Sequence, residues 1–442
     1  MLSTLSNASR TALRRTFATE AAKKVVLVDG VRTPFCLAST EYKNNIAYDL
    51  GRQAIRGLVA KTGIDTSDVD YVTMGTVIQE VRTSNLGREC SIGAGLPKNV
   101  PASTVTMACI SSNLSITSSA EKIQAGHADI CIAGGAETFS DVPIRFSKKL
   151  RANMIASQKS KGIPAKLKTI FKGVGLKDLA PETPAIANFA TGEVMGSSSD
   201  RLSQRFGVTR EEQDRFALDS HQKAAAAHEA GKFEDEIIPV NGNSFDNGIK
   251  TDSSYEKLAS LRPAFIRPHG THTGGNSSFL TDGASAALIA SEEAALAKGF
   301  KPKAVLKDWT YVAVDPWEEL LLGPAYAISK VLLENNLTVD DIDVWEIHEA
   351  FAGQVLANLK ALESDEFAKS SLEGRDSAVG VVPREKLNSN GGSLALGHPF
   401  GATGARLAMT AANRLRDEGG RYAILSACAD SGLANCTLLE KY

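Results

Sequence analysis

Apolar residues in this chain follow two patterns in turn, helical spacing and short continuous runs. Residues 47–61 carry apolar side chains at the spacing of an amphipathic helix, namely Leu50, Ala54, Ile55 and Leu58. The preceding run Lys24-Val-Val-Leu-Val-Asp-Gly predicts a short buried strand. Because aliphatic runs and helices continue to alternate down the chain, we expect an α/β fold with covered, largely parallel sheets.

Two parts of this pattern occur twice. Asn336-Leu-Thr-Val-Asp-Asp-Ile-Asp-Val-Trp aligns with residues 63–72, where a turn leads into a strand. A helix end, a glycine and an aliphatic strand at residues 123–134 recur at residues 415–427. Both matches come in the same order, at separations of 273 and about 292 residues. They predict a duplicated α/β unit.

Three further elements follow from local signals. Thr209-Arg-Glu-Glu is a capping box, which predicts a helix that runs through Ala227. Residues 282–290 are mostly small and suit either a buried strand or the start of a tightly packed helix. Residues 304–314 predict another strand.

The segment from Arg145 to Lys177 contains ten basic residues and no acid, with apolar residues between them. So concentrated a positive charge indicates an anionic partner, which is a membrane surface, an acidic subunit or the phosphates of a ligand. A solvated insertion loop is the alternative. Nucleic acid is not supported, because no aromatic stacking platform accompanies the charge.

The chain length of 442 residues allows two or three domains with substantial cores. No apolar run reaches the roughly 18 residues that a membrane span needs, which argues against an integral membrane protein. Residues 1–19 contain three arginines, several hydroxyl residues and no acid, which is typical of a mitochondrial transit peptide. A disordered tail is the alternative. Removal of this segment changes the net charge from −2 to about −5.

The six cysteines, at positions 36, 90, 109, 131, 428 and 436, form no C-x-x-C pair and no Cys/His zinc spacing. The seven histidines include no H-E-x-x-H, so we predict no metal site. In a reducing compartment the thiols stay free, and single cysteines become candidate nucleophiles.

A glycine-rich stretch, residues 388–406, contains His398 followed by a proline. Glycine permits close approach of the backbone, and proline keeps the residue before it extended. We therefore expect a rigid turn that presents the imidazole at the N-terminus of a helix starting near Thr403. A phosphate loop is the rival interpretation, but this stretch contains neither G-x-G-x-x-G nor Gly-Lys-Ser/Thr.

Three more polar groups lie next to predicted strands or helices. Cys109 precedes a helix that ends near Gln124, and we expect the helix N-terminus to lower the pKa of this thiol. His348 follows the repeated strand, and Cys428 follows the aliphatic strand at residues 422–427. Ligands of α/β folds gather at the carboxyl ends of strands, which makes all three candidates for one site. A core thiol or a structural histidine is the alternative for each.

Taken in order, these motifs resemble those of the thiolases. The matching stretches are Met107-Ala-Cys-Ile-Ser, Asn276-Ser-Ser-Phe-Leu-Thr-Asp-Gly-Ala, His348-Glu-Ala-Phe, Gly397-His-Pro-Phe-Gly-Ala-Thr-Gly and Cys428. The resemblance covers about residues 24–442. It implies two duplicated α/β domains in a five-layered core, at residues 24–295 and 296–442, with an inserted loop domain at about residues 142–265.

The resemblance also implies a role for each candidate. Cys109 would take the acyl group as a thioester, and His398 would accept its proton and help bind the thioester oxygen. Cys428 would protonate the departing acetyl-CoA carbanion and then deprotonate the incoming CoA. His348 would hold a water, or donate directly, in the first oxyanion hole.

Most thiolases carry asparagine where this chain has His348. With a histidine at this position, the chain resembles the thiolase subunits of mitochondrial trifunctional fatty-acid oxidation complexes. That subgroup implies cleavage of medium- or long-chain 3-ketoacyl-CoA by CoA in β-oxidation, in the mitochondrial matrix or at the inner membrane. The implied partners are a second copy of the chain and a hydratase/dehydrogenase α subunit. CoA would enter as a substrate, without a permanently bound cofactor. Ser278 and Phe351 match positions that contact the pantetheine arm of CoA.

Asp430 departs from the family pattern, which places glycine two residues after the second cysteine. A carboxylate about 5 Å from a developing oxyanion costs about 3 kcal/mol at an effective dielectric of about 20, so we expect this side chain to turn away. Two rival functions stay open, a short-chain acetoacetyl-CoA thiolase and a catalytically impaired scaffold subunit. A condensing ketoacyl synthase fits less well, because it has no use for Cys428.

Overall fold

The computed structural model of this chain describes residues 23–185 and 187–442. In these ranges ten strands are present, which are β1 (Val25–Arg32), β2 (Cys36–Leu37), β3 (Tyr71–Gly75), β4 (Ala102–Val105), β5 (Ile130–Glu137), β6 (Thr281–Ser291), β7 (Ala304–Ala313), β8 (Val344–Ile347), β9 (Tyr422–Ala429) and β10 (Leu433–Lys441). They form one sheet in the order β4-β3-β5-β6-β1-β7-β10-β9-β8, and β2 pairs with β6. The predicted transit peptide, residues 1–19, lies outside the described residues.

The same ranges contain fourteen α-helices, which are α1 (Ala47–Thr62), α2 (Leu86–Ala94), α3 (Ser111–Gln124), α4 (Lys148–Ser157), α5 (Ile163–Ile170), α6 (Met195–Arg205), α7 (Arg210–Glu229), α8 (Tyr255–Ala259), α9 (Glu292–Ala297), α10 (Gly323–Glu334), α11 (Ala352–Leu362), α12 (Asp365–Ser371), α13 (Ser393–Leu396) and α14 (Thr403–Glu418). The helix predicted over residues 47–61 is α1. The predicted capping box opens α7, where Glu212 accepts the Thr209 N–H at 2.6 Å. No helix in the described ranges is long and apolar enough to cross a membrane.

The prediction of largely parallel sheets is wrong. β3 pairs in parallel with β4 and β5, and β8 pairs in parallel with β9. The pairs that β6 makes with β1 and β5, and that β10 makes with β7 and β9, are antiparallel. β9 and β10 are joined by a tight turn at residues 430–432, a connection that only antiparallel strands permit. Continuous aliphatic runs therefore indicate that both faces of the sheet are covered, but they do not indicate the direction of the strands.

The sheet consists of two halves with helices on both faces. In β5, Ile130 and Ile132 pack with α1 and α2, whereas Cys131 and Ala133 face a central cluster that includes α3 and α14. Strand β9 alternates in the same way between this central cluster and the cluster of α10 and α11. The halves meet at a two-residue pairing of β1 with β7. The fold therefore has the predicted five layers. Central helices lie between the two half-sheets, and each half-sheet is covered on its outer face by further helices.

The predicted duplication is confirmed. A 3₁₀ turn at Thr66–Asp68 precedes β3, and a 3₁₀ turn at Val339–Asp341 precedes β8 at the same separation of 273 residues. Strands β5 and β9 each follow a central helix and are separated by 292 residues. The domain boundaries at 24–295 and 296–442 stay predictions, because both halves belong to one sheet.

The region between β5 and β6 holds helices α4 to α8. Helix α7 packs through Ala224 and Ala227 against Ala395 and Leu396 of α13, directly before His398. A Cβ added to Gly391 would come within 2.6 Å of the Cβ of Ala224. The inserted region therefore supports the glycine-rich turn from outside.

Candidate active site

His398 lies on the turn between α13 and α14. Gly397 before it has φ 97° and ψ 172°, a conformation that is essentially restricted to glycine. A Cβ on Gly397 would come within 2.6 Å of Oγ1 of Thr281, the atom that accepts the His398 N–H at 3.0 Å. The turn therefore packs directly on the start of β6. Helix α14 begins at Thr403, as predicted.

A buried carboxylate that the sequence did not single out holds the far side of this turn. Glu137 ends β5 and accepts N–H groups from Val77, Ile78 and Gly401 at 2.9–3.0 Å. Burial raises the pKa of Glu137 to about 7, although these N–H groups act in the opposite direction. Glu137 therefore ties the His398 turn to the segment that follows β3.

The rings of His348 and His398 lie against each other. Their Nε2 atoms are 3.2 Å apart and their ring centroids 4.1 Å. Burial and then the charge of Arg406 lower the pKa of His398 to about 3. Burial, the charge of His398 and that of Arg406 lower the pKa of His348 well below its usual value. Both rings are therefore neutral at physiological pH.

Cys109 lies two residues before α3, after Ala108, whose φ is 44°. The expectation that its pKa is lowered is wrong. Although Cys109 is partly exposed, desolvation of its sulfur, followed by the charges of Asp430 and Glu137, raises the pKa of Cys109 to about 12. The N–H groups of Cys109 and Asp430 favour the thiolate but do not outweigh burial. The thiol is protonated at neutral pH and needs a base to become a nucleophile.

Cys428 is the penultimate residue of β9 and not part of the following loop. It is buried, and burial followed by the charge of Cys109 raises its pKa, so the two sulfurs lie within electrostatic reach. The His348 N–H donates to the Ser426 carbonyl at 2.9 Å. Neighbouring strands β8 and β9 therefore bring His348 and Cys428 to the same end of the sheet, as predicted.

The first turns of α3 and α14 also meet. The Ala405 N–H donates to Oγ of Ser112 at 3.0 Å, and a Cβ on Gly404 would overlap the Asn113 side chain. Because Cys109 and His398 lie just before these turns, the helices deliver both to one place. The structure thus gathers all four predicted groups from four separate segments of the chain.

Asp430 is held by a residue that the sequence did not identify. Asn188 of the inserted region is 6% exposed, and its Nδ2 donates to Oδ1 of Asp430 at 3.0 Å and to Oγ of Ser431 at 2.6 Å. The Ser431 N–H donates to the same carboxylate oxygen at 2.7 Å. The carboxylate is therefore anchored, although its charge still raises the pKa of Cys109.

The two predicted CoA-binding residues lie on adjacent segments. The Ser278 N–H donates to the Ala350 carbonyl at 2.9 Å, and Ser277 forms a β-bridge with Phe351. Both Ser278 and Phe351 are partly exposed. Leu280 forms a parallel bridge with His398, which connects this surface to the imidazole pair. In the described ranges, no group of three or more His, Cys, Asp or Glu side chains is arranged to hold a metal ion.

Two family models match the chain in succession. The model described as "Thiolase, N-terminal domain" matches residues 25–293, and "Thiolase, C-terminal domain" matches residues 300–441. Together they cover almost all of the residues that the structure describes.

Relatives match over the same length. The chain is 52% identical to "Trifunctional enzyme subunit beta, mitochondrial" of Bos taurus, over 98% of this chain and 92% of that protein. It is 52% identical to "Probable 3-ketoacyl-CoA thiolase" of Caenorhabditis elegans, over 95% of this chain and 94% of the relative. The crystal structure of the Bacillus anthracis acetyl-CoA acetyltransferase superposes with a TM-score of 0.82 at 30% identity, over 96% of this chain and 100% of that chain. The chain therefore belongs to the thiolase family.

Proposed function

We propose that this thiolase cleaves medium- and long-chain 3-ketoacyl-CoA with CoA and releases acetyl-CoA and a shortened acyl-CoA. The observation that carries the proposal is the pair of neutral imidazoles, with Nε2 atoms 3.2 Å apart, at the same end of the sheet as Cys428 and near Cys109. Thiolysis needs one thiol to carry the acyl group and another to move a proton. The name of the C. elegans relative supports the same chemistry.

In the first half-reaction, Cys109 attacks the 3-keto carbon. Because its thiol is protonated and His398 is neutral, the proton moves to Nε2 of His398 during the attack. The bond between C2 and C3 of the substrate then breaks. Cys428 gives its proton to the acetyl-CoA carbanion, which leaves an acyl thioester on Cys109 and a thiolate on Cys428.

The second half-reaction returns both protons. The Cys428 thiolate takes the thiol proton of the incoming CoA, and the CoA thiolate attacks the acyl group on Cys109. The Cys109 sulfur leaves and recovers its proton from His398. All three groups are then in their starting states.

Two sets of donors match the two oxyanions of this reaction. The N–H groups of Cys109 and Asp430 favour the thiolate of the attacking sulfur, and we assign them to the oxygen of the carbon that it attacks. The imidazoles of His348 and His398 serve the thioester oxygen of the departing acetyl-CoA, because an oxygen about 2.9 Å from each Nε2 fits between nitrogens 3.2 Å apart. No metal is needed for this charge stabilisation.

The test is a thiolysis assay on substrates from acetoacetyl-CoA to 3-ketohexadecanoyl-CoA, with mass spectrometry of the acyl-enzyme. We expect turnover to favour the longer chains and the acyl group to be trapped on Cys109. Cys109→Ser should lose activity, whereas Cys131→Ser, which alters a buried thiol of β5, should retain it. Activity confined to acetoacetyl-CoA would support the short-chain rival, and wild-type activity no higher than that of Cys109→Ser would support the scaffold.

We propose further that the chain acts in the mitochondrion, dimerises and assembles with a hydratase/dehydrogenase α subunit. The name of the bovine relative supports both the compartment and the role as a β subunit. Co-expression with such a subunit, followed by size-exclusion chromatography with light scattering, tests the assembly. Elution of the two chains as separate species would contradict it.

We infer that the basic segment, residues 145–177, contacts anionic lipid of the inner membrane. Three of its ten basic residues form ion pairs with Asp178 or Glu182, namely Arg145, Lys149 and Arg151. Helices α4 and α5 also expose large apolar side chains, including Ile155 at 68%, Ile163 at 75% and Leu167 at 51%. Positive charge combined with exposed apolar side chains is typical of helices that lie in a membrane interface.

Binding to cardiolipin-containing liposomes tests this surface. We expect charge reversal of Lys159, Lys161, Lys166 and Lys168 to abolish binding without loss of soluble thiolysis. The control reverses four exposed lysines elsewhere, namely Lys98, Lys301, Lys330 and Lys369. Undiminished liposome binding by the first variant, with loss of α-subunit binding, would assign the segment to the protein partner instead.

A further inference from the structure

A line of buried polar groups runs from a buried arginine through both imidazoles. The Nη2 of Arg406 donates to Oγ of Ser393 at 3.0 Å, and this oxygen lies 3.1 Å from Nδ1 of His348. Nε2 of His348 lies 3.2 Å from Nε2 of His398, whose Nδ1 lies 2.7 Å from Oγ1 of Thr403. Each of the five residues is at most 2% exposed, so bulk water does not compete for these bonds.

Donor and acceptor roles can be assigned from the Arg406 end. Guanidinium groups only donate, so Ser393 must accept from Arg406. The hydroxyl hydrogen of Ser393 is then free to donate to Nδ1 of His348. A neutral imidazole that accepts at Nδ1 carries its hydrogen on Nε2.

The other end can be assigned independently. The Thr403 hydroxyl donates to the Pro399 carbonyl at 3.0 Å, so its oxygen accepts from Nδ1–H of His398. His398 therefore has its lone pair on Nε2. Both ends agree, because the bond between the rings needs one donor and one acceptor, and His348 Nε2–H supplies the donor.

We propose that Ser393 and Arg406 are positioning residues that hold His348 as the Nε2–H tautomer, so that it always presents a donor to the reacting oxygen. Thr403 holds the opposite tautomer of His398, whose Nε2 lone pair accepts from His348 in the resting site and is the base for Cys109. The proposal rests on the roles in thiolysis proposed above for the two histidines.

The assignment explains how two neutral rings become one oxyanion site. Once His398 takes the Cys109 proton on Nε2, both Nε2 atoms carry hydrogen and both can donate to the same oxygen. In the opposite tautomer, His348 would place a lone pair against the lone pair of His398 and against the oxyanion. Burial and the charge of Arg406 keep both rings from becoming cationic before substrate arrives, so the tautomer decides the function.

Ser393→Ala is the direct test, because it removes the hydroxyl without adding bulk. We expect kcat to fall about 10- to 100-fold with little change in KM, less than the loss of a whole oxyanion donor. Ser329→Ala is the matched control. Ser329 lies in α10, outside the site, is 2% exposed, and its Oγ accepts a hydrogen bond from Nε of Arg375 at 3.2 Å. The control should keep the wild-type kcat, and thermal unfolding of both variants should confirm that they fold.

Nitrogen-15 spectra of histidine-labelled enzyme report the tautomer itself, whatever the catalytic roles. We expect wild-type His348 to be protonated on Nε2 and His398 on Nδ1, and Ser393→Ala to lose the single tautomer of His348. Thr403→Val, at the other end of the line, should likewise make His398 lose its single tautomer. Nδ1-protonated His348 in the wild type, or an unchanged tautomer in Ser393→Ala, would overturn the proposal.

A double-mutant cycle separates positioning from a merely structural effect. If Ser393 acts through His348, then Ser393→Ala should have little further effect on kcat in a His348→Asn background. Independent effects that multiply would show that Ser393 supports the fold and does not position the imidazole.

Discussion

At the scale of single residues, the site depends on groups that are neutral before substrate binds. Cys109 and His398 start as thiol and imidazole, since burial raises the pKa of one to about 12 and lowers that of the other to about 3. A preformed thiolate–imidazolium pair would need the reverse order of pKa values. In the proposed mechanism, proton transfer from Cys109 to His398 is therefore coupled to substrate attack.

The pH dependence of kcat/KM tests this state of the base. His398 stays unprotonated down to about pH 3, so we expect no acid limb from this residue between pH 5 and 7. The measurement is kcat/KM for a long-chain 3-ketoacyl-CoA from pH 5 to 8, with circular dichroism as the control for folding. A limb with an apparent pKa near the usual value of histidine, in protein that is still folded, would contradict the assignment.

Asp430 offers a second test at this scale. Its charge is the largest cause after burial that raises the pKa of Cys109, so Asp430→Asn should lower that pKa. The rate of Cys109 alkylation by iodoacetamide as a function of pH measures the change, with Cys109→Ser as the blank.

We also expect turnover of Asp430→Gly to stay within about tenfold of the wild type, because Asn188 anchors the carboxylate. A larger gain would show that Asp430 impairs the native enzyme.

At the scale of elements, the turn between α13 and α14 sets the position of His398. Its backbone touches two strands, since Gly397 packs on Thr281 of β6 and Gly401 donates to Glu137 of β5. The glycines are therefore required by close approach as well as by conformation.

Gly397→Ala should damage both stability and catalysis. The new Cβ meets Oγ1 of Thr281 at 2.6 Å in a conformation that alanine avoids, so we expect about 3 kcal/mol or more of lost unfolding free energy and a lower kcat. Gly63→Ala is the control, because Gly63 has φ 67° but no atom within 4 Å of the added Cβ. That variant should lose about 1 kcal/mol in urea unfolding and keep its kcat. Equal effects of the two variants would disprove close packing of the turn.

At the scale of the whole molecule, three buried histidines tie stability to pH. Burial lowers the pKa of His221 to about 4 and that of His398 to about 3, and that of His348 is lowered as well. Between these values and the ordinary pKa of about 6.5, the unfolded chain binds protons that the folded chain does not. These three histidines therefore lower stability as the pH drops through this window, whereas Glu137, whose pKa burial raises to about 7, acts in the opposite direction.

Urea unfolding at several pH values measures this linkage. We expect each such histidine to lower the unfolding free energy by up to about 1.4 kcal/mol per pH unit from pH 6.5 towards pH 4, against the opposite contribution of Glu137. His348→Asn cannot be protonated at this position, so it should reduce the slope of the unfolding free energy against pH by the contribution of about one proton. An unchanged slope in His348→Asn would show that the His348 ring is not buried in its neutral form.

The duplicated halves were predictable because they arise from local periodicity and from order along the chain, whereas the five layers were implied by the resemblance to the thiolases. The 3₁₀ turns and strands at residues 66–75 and 339–347 follow from the repeat. Strand direction was not predictable, because aliphatic runs report coverage of both faces and not the route of the connections.

For the site, the sequence by itself determined which groups are chemically available: Cys109, His348, His398 and Cys428, each beside a strand end or a helix start. Only the tertiary structure decided their protonation and orientation. Glu137 and Asn188 lie in no recognisable motif and act through contacts between distant segments. Ser393 and Arg406 lie in the glycine-rich stretch, where nothing in the sequence indicates that they contact each other and His348. Desolvation also depends on what covers a group, which local sequence does not encode; this is why the predicted low pKa of Cys109 was wrong.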